Sequence, residues 1–360
     1  MLPNWAHTPA YYAARAAIAA LQTFPVDQNL RTMRALGERY ARAPFNNTRL
    51  QRAVDNLAWC FPDWPSHLHR QYAIDAYRRL FALAVEVAYT PRLITQDGWP
   101  HRMVIDHIEP LVGRVLHARE NHGGPVIFIT GHCGNWEVLG YTLAVLGFPL
   151  HALYRPLDLK PLDQWLRETR ERKGLTLLDK FGATQRAPQI LNNNEHLAFI
   201  ADQNAGDKGL FVPFFNRLAS TYKSIGLLAM QHRAPIVCGV ARAIGLDDQA
   251  SPPIDAQLFR YKLDLIDIIN PEDWDAHEDP LFYLTARYRR AIEEMVRRAP
   301  EQYLWMHRYW KSRPPHERAG KPFPKPLLEK IASLPWITPD DLDRIVDRSN
   351  RDAADLAARR

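Results

Sequence analysis

The sequence predicts an α/β fold, with a mainly parallel central sheet flanked by helices and a helical region ahead of it. Three observations carry this. Short apolar runs such as Val126-Ile127-Phe128-Ile129 and His196–Ile200 have the length and composition of strands buried on both faces. Segments between such runs have helical apolar spacing, most clearly Pro280–Arg298 with its stripe Leu281, Leu284, Tyr288, Ile292 and Met295. Strands alternating with helices of this length indicate an α/β domain, whereas residues 50–90 read as helix throughout.

In chain order, residues 9–24 form an Ala-rich helix with Pro9 in its first turn. The Asn56-Leu57 and Phe61-Pro62 pairs mark a turn between two helices, the second ending at Tyr89-Thr90-Pro91. A short strand and a helix are expected within 103–118. Strand 126–129 follows, then a helix from Trp136 stopped at Gly147. Strand His151–Tyr154 precedes a helix from Pro161 to about Lys173, on which Arg167 and Arg170 share a face. Leu175–Leu178 is a strand, 185–194 a helix and His196–Ile200 a strand ending at Asp202. Leu210–Phe215 is hairpin-like, Thr221 to about Arg233 a helix, and Pro235–Val240 and Tyr261–Ile268 are strands. Beyond a Pro-rich link, Lys321–Pro326, two short helices are expected in an accessory or partly mobile tail. The expected organisation is a helical membrane-associating region over 1–95, an α/β domain over 96–315 and the tail over 316–360.

The chain has 360 residues, 46% of them hydrophobic and 24% charged, as in ordinary globular proteins. A formal charge of +6 suits a partner carrying phosphates. Residues 1–52 hold seven arginines against Asp27 and Glu38, a surplus of five that points to an anionic membrane surface, with a solvated helical face as the competing account. The first helix places Tyr11, Tyr12 and Phe24 where headgroups would lie. No transmembrane run and no secretory signal are read. Cys60, Cys133 and Cys238 are too scattered for a disulfide framework, and with no C-x-x-C a metal site is not expected. No nucleic-acid-binding signature stands out.

The chemistry centres on residues 125–147. A strand, a tight loop broken at Gly131 and a helix N-capped by Asn135 bring His132 to the carboxyl end of the strand and Glu137 into the first helical turn. Open α/β sheets bind ligands at that edge. A carboxylate holding an imidazole in one tautomer makes a general base for a hydroxyl, so Glu137 is expected to orient His132. The helix dipole alone also favours a Glu there.

Gly131–Glu137, GHCGNWE, resembles the His-x4-Glu motif of the bacterial lipid A late acyltransferases, the lauroyl/myristoyl transferase family. Four further blocks match in order: Asn56-Leu57 with Phe61-Pro62, Tyr154–Asp158, Ala201–Thr221 and Leu304–Pro314. The resemblance spans roughly 50–315. It implies a glycerolipid acyltransferase-like fold and an O-acyltransferase that moves a fatty acyl chain from a thioester to a hydroxyl of a glycolipid, a lipid A precursor. The donor would be acyl-carrier protein or acyl-coenzyme A, with no resident cofactor, and the enzyme would work at the cytoplasmic face of the inner membrane. Many relatives carry an N-terminal spanning segment, which is not read here.

His132 and Glu137 are thus the catalytic candidates. Arg155, after its strand at the same sheet end, takes over a site role from the family and would hold a phosphate or support the oxyanion. Asp202 would orient Arg155 or a substrate hydroxyl. Asn135, Lys223 and Arg308 complete the substrate-binding candidates, with Lys311 and Arg313 beside Arg308 in a basic cluster. Phe211, Val212, Phe214 and Phe215 would wall an acyl slot or belong to the core. A Cys133 nucleophile is disfavoured, because adjacent residues seldom face each other. The alternatives are another lipid acceptor, phosphatidylinositol mannoside-like or lysophospholipid, and a non-catalytic lipid-binding protein. Glu137 in place of Asp tells against a lysophospholipid acceptor.

Overall fold

The computed structural model describes residues 4–105, 124–171, 174–179, 182–244 and 257–358. Four helices come first: α1 (Asn4–Leu21), α2 (Val26–Ala41), α3 (Asn47–Cys60) and α4 (Ser66–Leu93). After them run β1 (Met103–Ile105), β2 (Ile127–Thr130), α5 (Trp136–Val145), β3 (Leu150–Tyr154), α6 (Lys160–Glu171), β4 (Leu175–Asp179), α7 (Ala183–Asn192) and β5 (His196–Ile200). The chain continues through β6 (Leu210–Phe214), β7 (Arg217–Thr221), α8 (Lys223–His232), β8 (Ile236–Ala243), β9 (Tyr261–Ile269), α9 (Pro271–Asp275) and α10 (Pro280–Arg298). It closes with α11 (Pro315–Arg318), α12 (Lys325–Ala332) and α13 (Pro339–Ala358). The helix expected before residue 118 falls outside the described residues.

Seven strands form one sheet in the order β1-β9-β8-β2-β5-β3-β4. Every pairing is parallel except β8 with β9. The fold class is the expected one. Strand β2 lies near the middle and is buried along its whole length. Its alternation divides the interior: Ile127 and Ile129 join a core with α3, α7, α8 and α10, while Phe128 points to the other face among residues of α2, α4 and α5. Burying such a side chain contributes roughly 1.5–3 kcal/mol. A two-strand hairpin of β6 and β7 turns at Phe215 and Asn216, both at φ 51°. Phe211, Val212, Phe214 and Phe215 are buried core residues.

Several local expectations shift. Helix α1 begins at Asn4, so Pro9 is internal to it. Thr221 closes β7, and the helix after it starts at Lys223. The arginines of the first 52 residues are partly occupied inside the molecule: Arg15 stacks 4.5 Å over the Trp165 ring, Arg42 pairs with Glu38 and Arg52 donates to the Met306 carbonyl. Among the described residues no helix is long and apolar enough to cross a membrane.

Residues 315–358, expected as an accessory tail, make three helices that pack on the α/β layers. Ile331 and Ile345 are fully buried in the core that contains β2. The Asp352 carboxylate of α13 is 4% exposed and receives Arg217 at 2.6 Å, Arg313 at 2.7 Å and Arg348 at 3.1 Å. Arg313 also pairs with buried Glu317 at 2.7 Å. It is therefore a structural arginine and not, as its sequence cluster suggested, a phosphate ligand. Removing one partner of a buried ion network leaves the others charged and dry. Asp352→Ala should cost about 3–5 kcal/mol in urea unfolding; a loss below about 1 kcal/mol, the range of exposed pairs, would show that the network contributes little.

Candidate active site

The site is built where β2 and β5 end side by side. Their parallel register pairs Thr130 with Ile200, and the Ala201 N–H donates to the Thr130 carbonyl at 2.9 Å. Two residues beyond each strand end stand His132 and Asp202. The His132 backbone N–H donates to Asp202 Oδ2 at 2.9 Å, and its ring Nδ1 lies 2.6 Å from Oδ1. A carboxylate facing Nδ1 requires the proton on that nitrogen, which leaves Nε2 as the basic one. Trp136 packs edge-on to the imidazole at 5.0 Å between centroids.

Burial disfavours a charged His132, yet the Asp202 carboxylate outweighs it and raises the imidazole above its ordinary value. Burial likewise pushes Asp202 up, but His132 and its two hydrogen bonds bring it down to about 2. Behind it, the fully buried Arg289 of α10 donates to the Asp202 carbonyl at 2.6 Å and stacks 3.8 Å over Phe214. Burial and the nearby Asp202 charge push the Cys133 thiol far up, so it is no ready nucleophile.

This corrects the sequence-based pairing. Glu137 does hold the first turn of α5, but its carboxylate meets Arg170 of α6 at 2.5 Å, both side chains being about one-seventh exposed. The imidazole is held by Asp202, which was expected to orient Arg155 or substrate. Asn135 is corrected too. It is fully buried, its oxygen capping α5 at Val138 N and its amide donating to Glu86 of α4 at 2.6 Å. It secures the loop and does not line the cavity described below.

The loop needs its backbone spent on scaffolding. Gly134 has φ +60°, and a Cβ there would stand 2.3 Å from the Ala241 carbonyl oxygen, so glycine is required. Gly134 N–H donates to Gln302 and Asn135 N–H to Ala241. With the His132 N–H given to Asp202, these three amides are not available to an oxyanion.

His132 lines a cavity of about 1050 Å³ that runs from the carboxyl edge of the sheet along its strands to Leu150 and Leu175. Its walls are mostly apolar, with Leu139, Leu143, Leu153, Leu177, Phe199 and Leu228 among them. Leu157 and Leu227 also line it while being 42% and 48% exposed, which marks an opening. Arg155 lines it as well and makes no ion pair among the described residues, whereas the other lining arginine, Arg170, is taken by Glu137. Lys223 is exposed between the lining residues Tyr222 and Ser224, and Arg308 is exposed outside the cavity.

Two neighbours of the site escaped the sequence reading. Arg170 was seen only as part of a basic helix face. His307, inside the block Leu304–Pro314, has its ring 5.6 Å from that of His132. The signal for it was present, because the earlier block holds Asn56, whose amide donates to the Trp305 and His307 carbonyls at 2.7 and 3.1 Å.

Residues 3–312 match the family model described as bacterial lipid A biosynthesis acyltransferase. The chain belongs to that family. It is an acyltransferase. Among similar proteins are the lipid A biosynthesis acyltransferase of Haemophilus influenzae, 24% identical over 71% of this chain and 73% of its own length, and the palmitoleoyltransferase of Escherichia coli, 25% identical over 75% and 81%. The lauroyltransferase of Escherichia coli is 24% identical over the same shares, 75% and 81%. Relatives of nearly equal similarity thus carry different acyl groups in their names.

Replacing Asp202 tests how the imidazole is held. Asp202→Asn keeps the shape but removes the charge that raises His132, so turnover should fall by roughly 10²–10⁴-fold. The base works unprotonated, so wild-type activity should be lost as pH drops through a His132 value above 6.5. In Asp202→Asn that acidic limb should move to lower pH. An unmoved limb in the pH–rate profile would show that Asp202 does not set the basicity of His132.

Proposed function

We propose that this acyltransferase moves a fatty acyl chain from a thioester to a hydroxyl of a lipid A precursor, with His132 as general base and Asp202 as its orienting partner. The observation that carries the reading is an imidazole held at Nδ1 by a carboxylate and lining a large, mostly apolar cavity. Acyl-carrier protein or acyl-coenzyme A serves as donor.

In this reaction the acyl chain enters between Leu157 and Leu227 and lies in the cavity, each buried methylene contributing about 0.8 kcal/mol. His132 Nε2 takes the proton of the acceptor hydroxyl as its oxygen attacks the thioester carbonyl. The oxyanion forms beside the cavity edge, where Arg155 supplies positive charge, support worth about 2.7–4 kcal/mol for a well-placed donor. The C–S bond then breaks, and the imidazolium returns its proton to the departing thiolate. No acyl-enzyme is needed. The Glu137–Arg170 pair ties α5 to α6 and keeps the cavity wall closed. Lys223 stands at the N-terminus of α8 near the opening, suited to anionic substrate groups.

Purified protein, an acyl thioester and a lipid A precursor test this directly. His132→Ala should lose about 10²–10⁴-fold in turnover at temperatures where the variant is still folded, with a lowered unfolding midpoint because the buried Asp202 carboxylate loses its ring partner. Near wild-type turnover in that variant would sink the general-base assignment.

Attachment at the cytoplasmic face of the inner membrane, through residues 1–95, is part of the same proposal. Tyr12, midway along α1, and Phe24, just past its end, are 65% and 55% exposed, while Arg15 faces inward onto Trp165. The apolar side chains thus face out, where an interfacial helix needs them. Flotation with anionic vesicles should show binding that weakens with salt and weakens further in Tyr12→Ser/Phe24→Ser. Equal flotation of the double variant would place the contact elsewhere.

A further inference from the structure

We propose that Arg52 of α3 and His307 form the seat for an anionic, phosphate-type group on the acyl acceptor, on the flank of His132 that lies outside the apolar cavity. The proposal rests on the acyltransferase reading and adds where the acceptor's headgroup binds.

The cavity is lined by His132 but by neither Arg52 nor His307. If the acyl chain fills the cavity, the acceptor hydroxyl must reach Nε2 past other groups, and the His307 ring, 5.6 Å from that of His132, is one that faces it. The segment carrying His307 is firmly built. Leu304 N–H donates to the His132 carbonyl at 3.2 Å, Gly134 N–H to the Gln302 carbonyl at 3.0 Å, and Asn56 holds the Trp305 and His307 carbonyls. One turn before Asn56 on the same face of α3, Arg52 gives one nitrogen to the Met306 carbonyl at 3.2 Å.

That contact uses a single donor of a guanidinium that has five. Among the described residues Arg52 has no ion pair, and neither does the exposed Arg308 that follows His307. The carboxylate that acts on His307, Asp202, is already committed to His132. Burial, His132 and Arg52 keep His307 below its ordinary value, against the pull of Asp202, so its imidazole is neutral and offers an N–H without adding repulsion. A half-buried guanidinium with spare donors and no ion pair among the described residues, beside a neutral N–H donor, makes an anion seat, and the guanidinium fork matches phosphate oxygens two at a time.

The test measures equilibrium binding by the full chain of a phosphate-bearing glycolipid and of the same glycolipid after phosphatase treatment. Arg52→Gln should weaken binding of the phosphorylated lipid about tenfold, the scale of one charge-assisted contact, and change binding of the treated lipid by less than about twofold. Arg52→Lys should recover part of the loss. His307→Gln, at a ring that makes no hydrogen bond among the described residues, should show a smaller loss with the same preference, and it serves if Arg52→Gln does not fold. Equal losses for both lipids would mean that Arg52 only supports the Met306 carbonyl, and would overturn the proposal. So would wild-type protein that binds both lipids alike. Thioester-dependent acylation by wild-type protein reads out the enzymatic reading separately, because binding here needs no turnover.

Discussion

The active edge of this molecule depends on one carboxylate. Asp202 accepts both the backbone N–H and the ring N–H of His132, so a single side chain fixes the loop and the tautomer together. Two contacts leave the imidazole little freedom to turn, and the charge opposes the cost of protonating it in a buried place. That carboxylate is held in turn by the β2–β5 register on one side and by the Arg289 bond to its own carbonyl on the other. Loss of either support would shift the carboxylate and the imidazole it holds.

The layers around this edge divide the labour. Helices α3 and α4 do not cap the sheet passively. Glu86, buried in an ion pair with Arg79, receives the amide of Asn135, and Asn56 holds the segment beneath His307. The N-terminal helices therefore anchor both loops that flank the imidazole. The C-terminal helices work from farther away, through the Asp352 cluster, which clamps Arg217 of β7 and Arg313 at the end of the last matching block.

Relatives with lauroyl and palmitoleoyl in their names resemble this chain almost equally well, so membership of the family does not by itself fix an acyl length. The walls of the cavity beside His132 come from residues on six strands and four helices. Such a surface can be lengthened or shortened by single substitutions while the proton-transfer pair stays in place, because cavity shape depends on side-chain volume and the pair on backbone register.

Most elements were legible in the sequence because their signals are local. Four apolar residues before a glycine made β2, and the cap at Asn135 opened α5. Placing His132 and Asp202 at strand ends followed from the same local patterns. The partner of the imidazole was not legible that way. Glu137, five residues off, was the near choice, but a side chain in the first turn of a helix leans toward the helix N-terminus and outward, and here it meets Arg170. Asp202 lies 70 residues away and arrives only because β2 and β5 pair in parallel. Strand pairing across such a distance is decided by how the whole sheet buries its two faces, and no local pattern records it. The same holds for His307 and Arg52, which lie 255 positions apart and meet only through carbonyls that α3 holds. Sequence alone determined which residues had the chemistry and which edge they shared; tertiary packing decided which of them touch.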